Sequence, residues 1–265
     1  MNMALSISNS DLLLSLNGEF NLSRNRAAKA QKRMTQQVEN TIQFNQEKPR
    51  APRKIDLIPR TRNQEKLVLA LQDENQHIVV TAGPAGTGKT YLAMLAAVKA
   101  LREGECDRII MTRPAVGVED EKHGFLPGNL VAKMEPWTRP LLDVMREYYR
   151  PQDILAMIDE QTVEIAPLAF MRGRTFKRAW IVADEMQNAT PAQVKMLMTR
   201  IGQDSKIVIT GDIEQADRQR GENGLWDLCE RLQKGGVPGI AVCELDKKDV
   251  QRHHIIGSVL KLYAD

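Results

Sequence analysis

Nowhere in the 265 residues is there an apolar run approaching the roughly 18 residues that a helix needs to cross a bilayer, which excludes a helical membrane span. The leucines at 12–14 and 16 follow Asp11 and have no basic flank, so no secretory signal is expected. Cysteine is scarce. Cys106, Cys229 and Cys243 are odd in number and match no metal-ligand spacing, which points to reduced thiols, two of them in the core, in a cytoplasmic protein. Charge of one sign is lacking too: the net of +3 is too small to argue for a nucleic-acid partner by itself.

The distribution of that charge says more than its sum. Residues 1–60 hold 10 Lys/Arg against 5 Asp/Glu, and the remainder holds 27 against 29. The basic excess therefore sits in the first 59 residues. This is a polar, partly disordered extension with a short basic helix expected over 24–37 and a proline-bearing linker over 49–59. Residues 60–265 form the second unit, the right length for one α/β domain of roughly 200 residues. No internal repeat is visible. From residue 60 onward short apolar runs alternate with helical stretches. Strands are expected at 77–81, 108–112, 163–166, 179–183, 206–210 and 240–245. Helices are expected at 91–102 and 136–149, and another begins at Thr190 with Pro191 in its first position. Such alternation means a parallel sheet covered by helices on both faces. Its ligands bind beyond the carboxyl ends of the strands.

Gly83-Pro84-Ala85-Gly86-Thr87-Gly88-Lys89-Thr90 satisfies G-x-x-x-x-G-K-[ST] completely, with a buried strand before it and a helix after it. Glycines let backbone N–H groups turn inward around phosphate oxygens, and the positive end of the following helix points at the same oxygens. Lys89 is expected to reach the β- and γ-phosphates of ATP and Thr90 to ligate Mg²⁺, with Tyr91 following directly in the nucleotide site. Asp184 and Glu185 close the strand at 179–183. Asp184 is the candidate to hold Mg²⁺ and Glu185 the general base that polarises the attacking water. The second acid separates an ATPase from a P-loop kinase, which needs no base for water. After the strand at 206–210, Thr210, Asp212 and Gln215 are candidates to sense the γ-phosphate. Gln64, a short way upstream of the loop, has a side-chain amide able to read adenine; the plainer reading is a solvated helix start.

At these stretches the chain resembles the PhoH family of phosphate-starvation-inducible ATPases, whose core is related to superfamily 1 helicases. The likeness runs over roughly 60–262. It is carried by GPAGTGKT at 83–90, TRPAVG at 112–117, GFLPGNL at 124–130, APLAFMRGRTF at 166–176, DEMQNATPAQVKMLMTRIG at 184–202 and TGDIEQAD at 210–217. The resemblance implies an α/β parallel-sheet P-loop NTPase with a RecA-like core of the ASCE type. It implies ATP hydrolysis with Mg²⁺, and suggests a homo-oligomeric ring, with six as the suggested number of subunits, acting on single-stranded RNA. It places Gln215 at the sensor position. Through the likeness of Asp249-Val250-Gln251-Arg252-His253 to the family's D-V-x-R-H, it makes Arg252 a candidate γ-phosphate contact, supplied by a neighbouring subunit. Arg172 and Arg174 are left as RNA or interface candidates. One departure stands out: residues 218–225 read RQRGENGL where the family has an apolar, proline-containing stretch and then Ser-Gly-Leu. Some relatives carry a PIN-type ribonuclease domain; with only Asp11, Glu19, Glu39, Glu47 and Asp56 as carboxylates in residues 1–60, none is expected here.

A helicase-like ATPase is thus the leading expectation. The alternative is a nucleotide-controlled switch that binds a protein partner without translocating nucleic acid, against which Glu185 argues.

Overall fold

The computed structural model describes residues 54–114, 142–215 and 222–251. The basic extension up to residue 53, the stretches 115–141 and 216–221, and Arg252 onward lie outside the described residues. Helix α1 (Arg62–Gln72) leads into β1 (Ile78–Ala82), α2 (Lys89–Glu103) and β2 (Arg108–Arg113). Then come α3 (Pro151–Asp159), β3 (Val163–Pro167), β4 (Ala179–Ala183), α4 (Pro191–Met198), β5 (Lys206–Gly211), α5 (Gly224–Lys234) and β6 (Ile240–Glu244). The six strands lie within a residue of those expected from their apolar runs. Of the helix expected at 136–149, residues 142–146 are helical and 136–141 lie outside the description.

All strands pair in parallel in the order β3-β2-β4-β5-β1-β6. The strand that carries Asp184 is thus separated from the phosphate-loop strand by β5, the arrangement of the expected P-loop NTPase core. Side chains alternate between the two faces of a strand, and both faces here are apolar. Val79, Ile109, Met111, Trp180, Val182 and Val208 join α1, α2 and α3 in one buried cluster, which also takes in Ile55 from upstream of α1. Ile78, Val80, Ile110, Ile181, Ile207 and Ile209 join α4 and α5 in the other. Covered on both faces, the sheet can open to a ligand only at its edges and strand ends.

Local signals explain the helix starts. Thr190 accepts the N–H of Gln193 while the Gln193 side chain accepts that of Thr190, with Pro191 at the first position. Asn223 caps α5 by accepting the Trp226 N–H at 3.0 Å. This settles the end of the departing stretch 218–225, for asparagine and serine serve equally well at a cap. The glycine that follows is sterically required: a Cβ on Gly224 would lie 2.5 Å from the Thr190 carbonyl oxygen. All three cysteines are buried, one more than expected.

Candidate nucleotide-binding site

The loop between β1 and α2 is anchored before it turns. Gly83 donates to the Gly211 carbonyl at 3.2 Å, and Leu245 donates to the carbonyl of Ala82 at 2.8 Å. This draws Gly83 so close to the Leu245 carbonyl that a Cβ would sit 2.4 Å from its oxygen, so only glycine fits there. Beyond it Thr87 Oγ1 donates to the Pro84 carbonyl at 2.9 Å. Lys89, only 8% exposed, directs its Nζ to the carbonyls of Gly83 at 2.6 Å and Pro84 at 2.8 Å. The lysine charge is thereby held inside the curve of the loop.

Three strand ends converge on this loop. Thr90 Oγ1 donates to Asp184 Oδ1 at 2.7 Å, and Thr210 Oγ1 donates to the same oxygen from β5. The sequence positions involved are 94 and 26 residues from Asp184, so only the strand order brings them together. Glu185 follows in the left-handed region at φ 54°, with its carboxylate 3.8 Å from Arg113 Nη2 and accepting from Gln187 Nε2. Asp212 reaches back to the loop and accepts the Ala85 N–H at 3.1 Å. A cleft of about 250 Å³ results, lined among others by Lys89, Thr90, Tyr91, Asp184, Glu185 and Gln215. Thr90 and Asp184 give Mg²⁺ two hard oxygen donors at one point, a fit for a cation whose other ligands are phosphates and water. Among the described residues there is no cluster of three His, Cys, Asp or Glu side chains that could hold a metal by protein alone.

A second layer supports the loop from outside. Gln64 is 4% exposed and donates through Nε2 to the Thr87 carbonyl at 2.9 Å, while its Oε1 accepts the Arg60 N–H at 2.7 Å. The amide expected to read adenine thus lies against the loop's own backbone. Its neighbour Asn63 donates to Asp249 at 2.9 Å, and Gln251 donates its backbone N–H to the Gly86 carbonyl at 2.9 Å. Asp249 is buried, which raises its pKa, but hydrogen bonds from Thr61, Asn63 and Asp246 outweigh that and hold it below the usual range. Tyr91 remains 41% exposed with its hydroxyl donating to Glu147 at 3.4 Å, and burial with that carboxylate pushes its pKa up to about 12.

Of the sequence candidates, Gln64, the loop residues, Asp184, Glu185, Thr210, Asp212 and Gln215 are gathered here. Arg252 lies outside the described residues. Arg174 is engaged elsewhere, in a two-pronged contact with Glu164 (Nη2 to Oε2 2.7 Å) and over the Phe176 ring at 4.5 Å. Gln187 and Asn63 join the site through the structure alone, and Asp249 and Gln251, from the stretch resembling D-V-x-R-H, join it through contacts the sequence did not show. Gln187 belongs to the DEMQ stretch at 184–187, but nothing in a linear sequence reveals which side chain will bridge two loops.

A second, larger cleft of about 1010 Å³ opens on the other side of Gly83 and Pro84. Asp212, Glu214, Glu230, Glu244 and Asp246 line it against Lys247 and Lys248, with Trp226 on one wall.

A family model described as PhoH-like protein matches residues 56–264. The chain is 43% identical over 204 residues to a PhoH-like protein of Synechocystis, covering 77% of this chain and 61% of the relative. It is 44% identical over 205 residues to one of Bacillus subtilis (77% and 63% covered), and 37% identical over 206 residues to Protein PhoH of Escherichia coli K12 (77% and 57%). It thus spans about three-fifths of the length of these relatives. Two solved structures overlap loosely. The Hef helicase domain of Pyrococcus furiosus does so at TM-score 0.40 and 13% identity, covering 71% of this chain and 39% of that one. The Sulfolobus solfataricus SWI2/SNF2 ATPase core does so at 0.39 and 16%, covering 75% and 47%. Such scores add nothing to what the strand order already says.

Proposed function

The chain belongs to the PhoH-like protein family, and from that premise we propose that it binds ATP with Mg²⁺ and hydrolyses the γ-phosphate, as an oligomer acting on single-stranded RNA. One observation carries the hydrolytic part: Thr90 and Asp184 meet at 2.7 Å at the mouth of the phosphate loop, with Glu185 the next residue along. In this reading the loop amides and Lys89 hold the β- and γ-phosphates, Lys89 exchanging its carbonyl partners for phosphate oxygens. Mg²⁺ bound at Thr90 and Asp184 would neutralise charge on the phosphate oxygens. Glu185 accepts a proton from water as its oxygen attacks the γ-phosphorus and the bond to the β-phosphate oxygen breaks, releasing ADP. Gln215 orients that water or the phosphate. Gln64 acts by holding Thr87, with one amide hydrogen left for a base.

Arg252 is next in sequence after Gln251, whose N–H holds Gly86, and its two candidate roles are a contact to its own chain's nucleotide or to a neighbour's. Mixing Arg252→Ala with Lys89→Ala protein separates the two cases. Recovered activity means a neighbour completes the site, and no recovery in confirmed mixed assemblies means it does not. Measuring mass with and without ATP decides the oligomer.

RNA is supported by the basic extension, not by the large cleft, whose acidic lining would repel a phosphodiester. Titrating the ATPase rate with single-stranded RNA tests this: stimulation is expected, and a flat response favours the regulatory switch. Removing residues 1–55 should also flatten the salt dependence of RNA binding, by roughly 0.7 in log–log slope for each RNA phosphate that the extension neutralises.

A further inference from the structure

Three hydrogen bonds through Asp212 and Gln187 join the phosphate loop to Glu185, and a fourth ties Asp212 to its own turn. The Ala85 N–H donates to Asp212 Oδ2 at 3.1 Å. The other oxygen of Asp212 accepts the Glu214 N–H at 3.1 Å, so one carboxylate ties the loop to the turn over residues 212–215. The Asp212 N–H donates to Gln187 Oε1 at 3.1 Å, and Gln187 Nε2 donates to Glu185 Oε2 at 2.5 Å. Gln187 is 1% exposed and Asp212 6%, so neither has water as a ready substitute partner. The route is also tightly built: a Cβ on Gly211 would lie 2.5 Å from Gln187 Oε1, so the amide runs directly across the end of β5.

The contact at Ala85 sets one anion against another. The loop offers backbone donors suited to phosphate, and Asp212 occupies one of them with a carboxylate. Phosphate oxygens arriving at the loop compete for that donor and repel the carboxylate. Once Asp212 lets go, the turn that it clamps is free to re-seat. Its backbone N–H, the partner of Gln187, belongs to that turn. Gln187 cannot lose this partner without changing how it holds Glu185, because its two amide ends are rigidly opposed.

We propose that Asp212 and Gln187 form a relay that reports occupancy of the phosphate loop to Glu185, Gln187 being a positioning residue for the carboxylate and Asp212 a displaceable occupant of the Ala85 amide. The relay rests on the ATPase reading for its output, while its input is a matter of binding alone. It gives the base a reason to be aligned only when phosphate is present.

The test uses the full-length protein with Asp212→Asn, Gln187→Ala and Gln187→Glu, the last a shape-conserving variant in case the alanine fails to fold. ATP affinity is read by calorimetry with Mg²⁺, and turnover by phosphate release. Asp212→Asn removes the competing charge, so ATP should bind several-fold tighter while turnover falls about tenfold. Either Gln187 variant should lower kcat about tenfold with affinity within about twofold of wild type. The double variant Gln187→Glu/Asp212→Asn should turn over no more slowly than the worse single, because both interrupt one path. A purely structural role would instead move affinity and turnover together and give multiplying losses. Unchanged or weaker affinity in Asp212→Asn overturns the relay whatever the turnover of the wild type, as do multiplying losses in the double variant. A wild type that binds ATP but releases no phosphate counts against the ATPase reading instead.

Discussion

Two clefts open at the carboxyl edge of the same sheet, with Asp212 lining both and the phosphate loop divided between them, Gly83 and Pro84 on one and Ala85 onward on the other, and the smaller is the better candidate site. The cleft of about 250 Å³ brings Lys89, Thr90, Asp184 and Glu185 together beside the phosphate loop. The one of about 1010 Å³ gathers five carboxylates against two exposed lysines. Volume follows from how far α5 and the segment after β6 stand from the loop; affinity for a triphosphate follows from oriented donors and charge.

The sharpest way to break this contrast is Lys89→Ala. Truncating one partner of a buried charged contact costs about 2–5 kcal/mol, so calorimetry should show ATP affinity falling at least roughly thirtyfold. Unchanged affinity would move the nucleotide out of the small cleft. Glu185→Gln should keep ATP affinity while lowering turnover roughly 10²–10⁴-fold, since the amide keeps shape and loses basicity; near-normal phosphate release would take the base role away from it. Gln64→Ala leaves the buried Thr87 carbonyl without its partner, worth about 1–3 kcal/mol. If Gln64 supports the loop, ATP and GTP affinities should fall together, roughly tenfold, whereas a drop confined to ATP would restore adenine reading. In the large cleft, Trp226→Ala should change ATP affinity by less than about twofold, since Lys89 and Thr90 line the other cleft. A larger loss would mean that the nucleotide extends past Pro84.

The smallest effect concerns Cys229, which lines the large cleft. Burial pushes its thiol up to about 11. Because the pKa is raised, the reactive thiolate grows as pH rises toward that value. Alkylation of the native protein should therefore be slow at about pH 8, quicken about tenfold per pH unit up to 10, and proceed as fast with ATP as without it. Protection by ATP would join the two clefts into one site.

Much of this was legible in the chain. Runs such as Ile78-Val79-Val80 and Ile181-Val182 are apolar on both alternating faces, and only a strand covered on two sides makes use of that. The glycine spacing at 83–88 and the paired acids at 184 and 185 are local features, so their chemistry was readable without a fold. Helices α1, α3 and α5 were less plain. The cap at Asn223 stood inside a polar stretch with no apolar periodicity before it, and its meaning depended on Gly224 pressing against Thr190.

Contacts between distant segments are the part that sequence leaves open. The residues of the small cleft determine its ligand chemistry by type alone: a cation inside a loop of amides, a hydroxyl, two carboxylates. Which of them touch was decided by the order β4-β5-β1, which places Thr90 and Thr210 on one oxygen of Asp184. The same order drives Gln187 across Gly211, and the fold sets the Gln64 amide against the Thr87 carbonyl, a contact that the sequence did not show. The physical reason is range. Propensity, periodicity and motif spacing act over a few residues, whereas a hydrogen bond between side chains 94 positions apart exists only once the sheet has set the strand ends side by side.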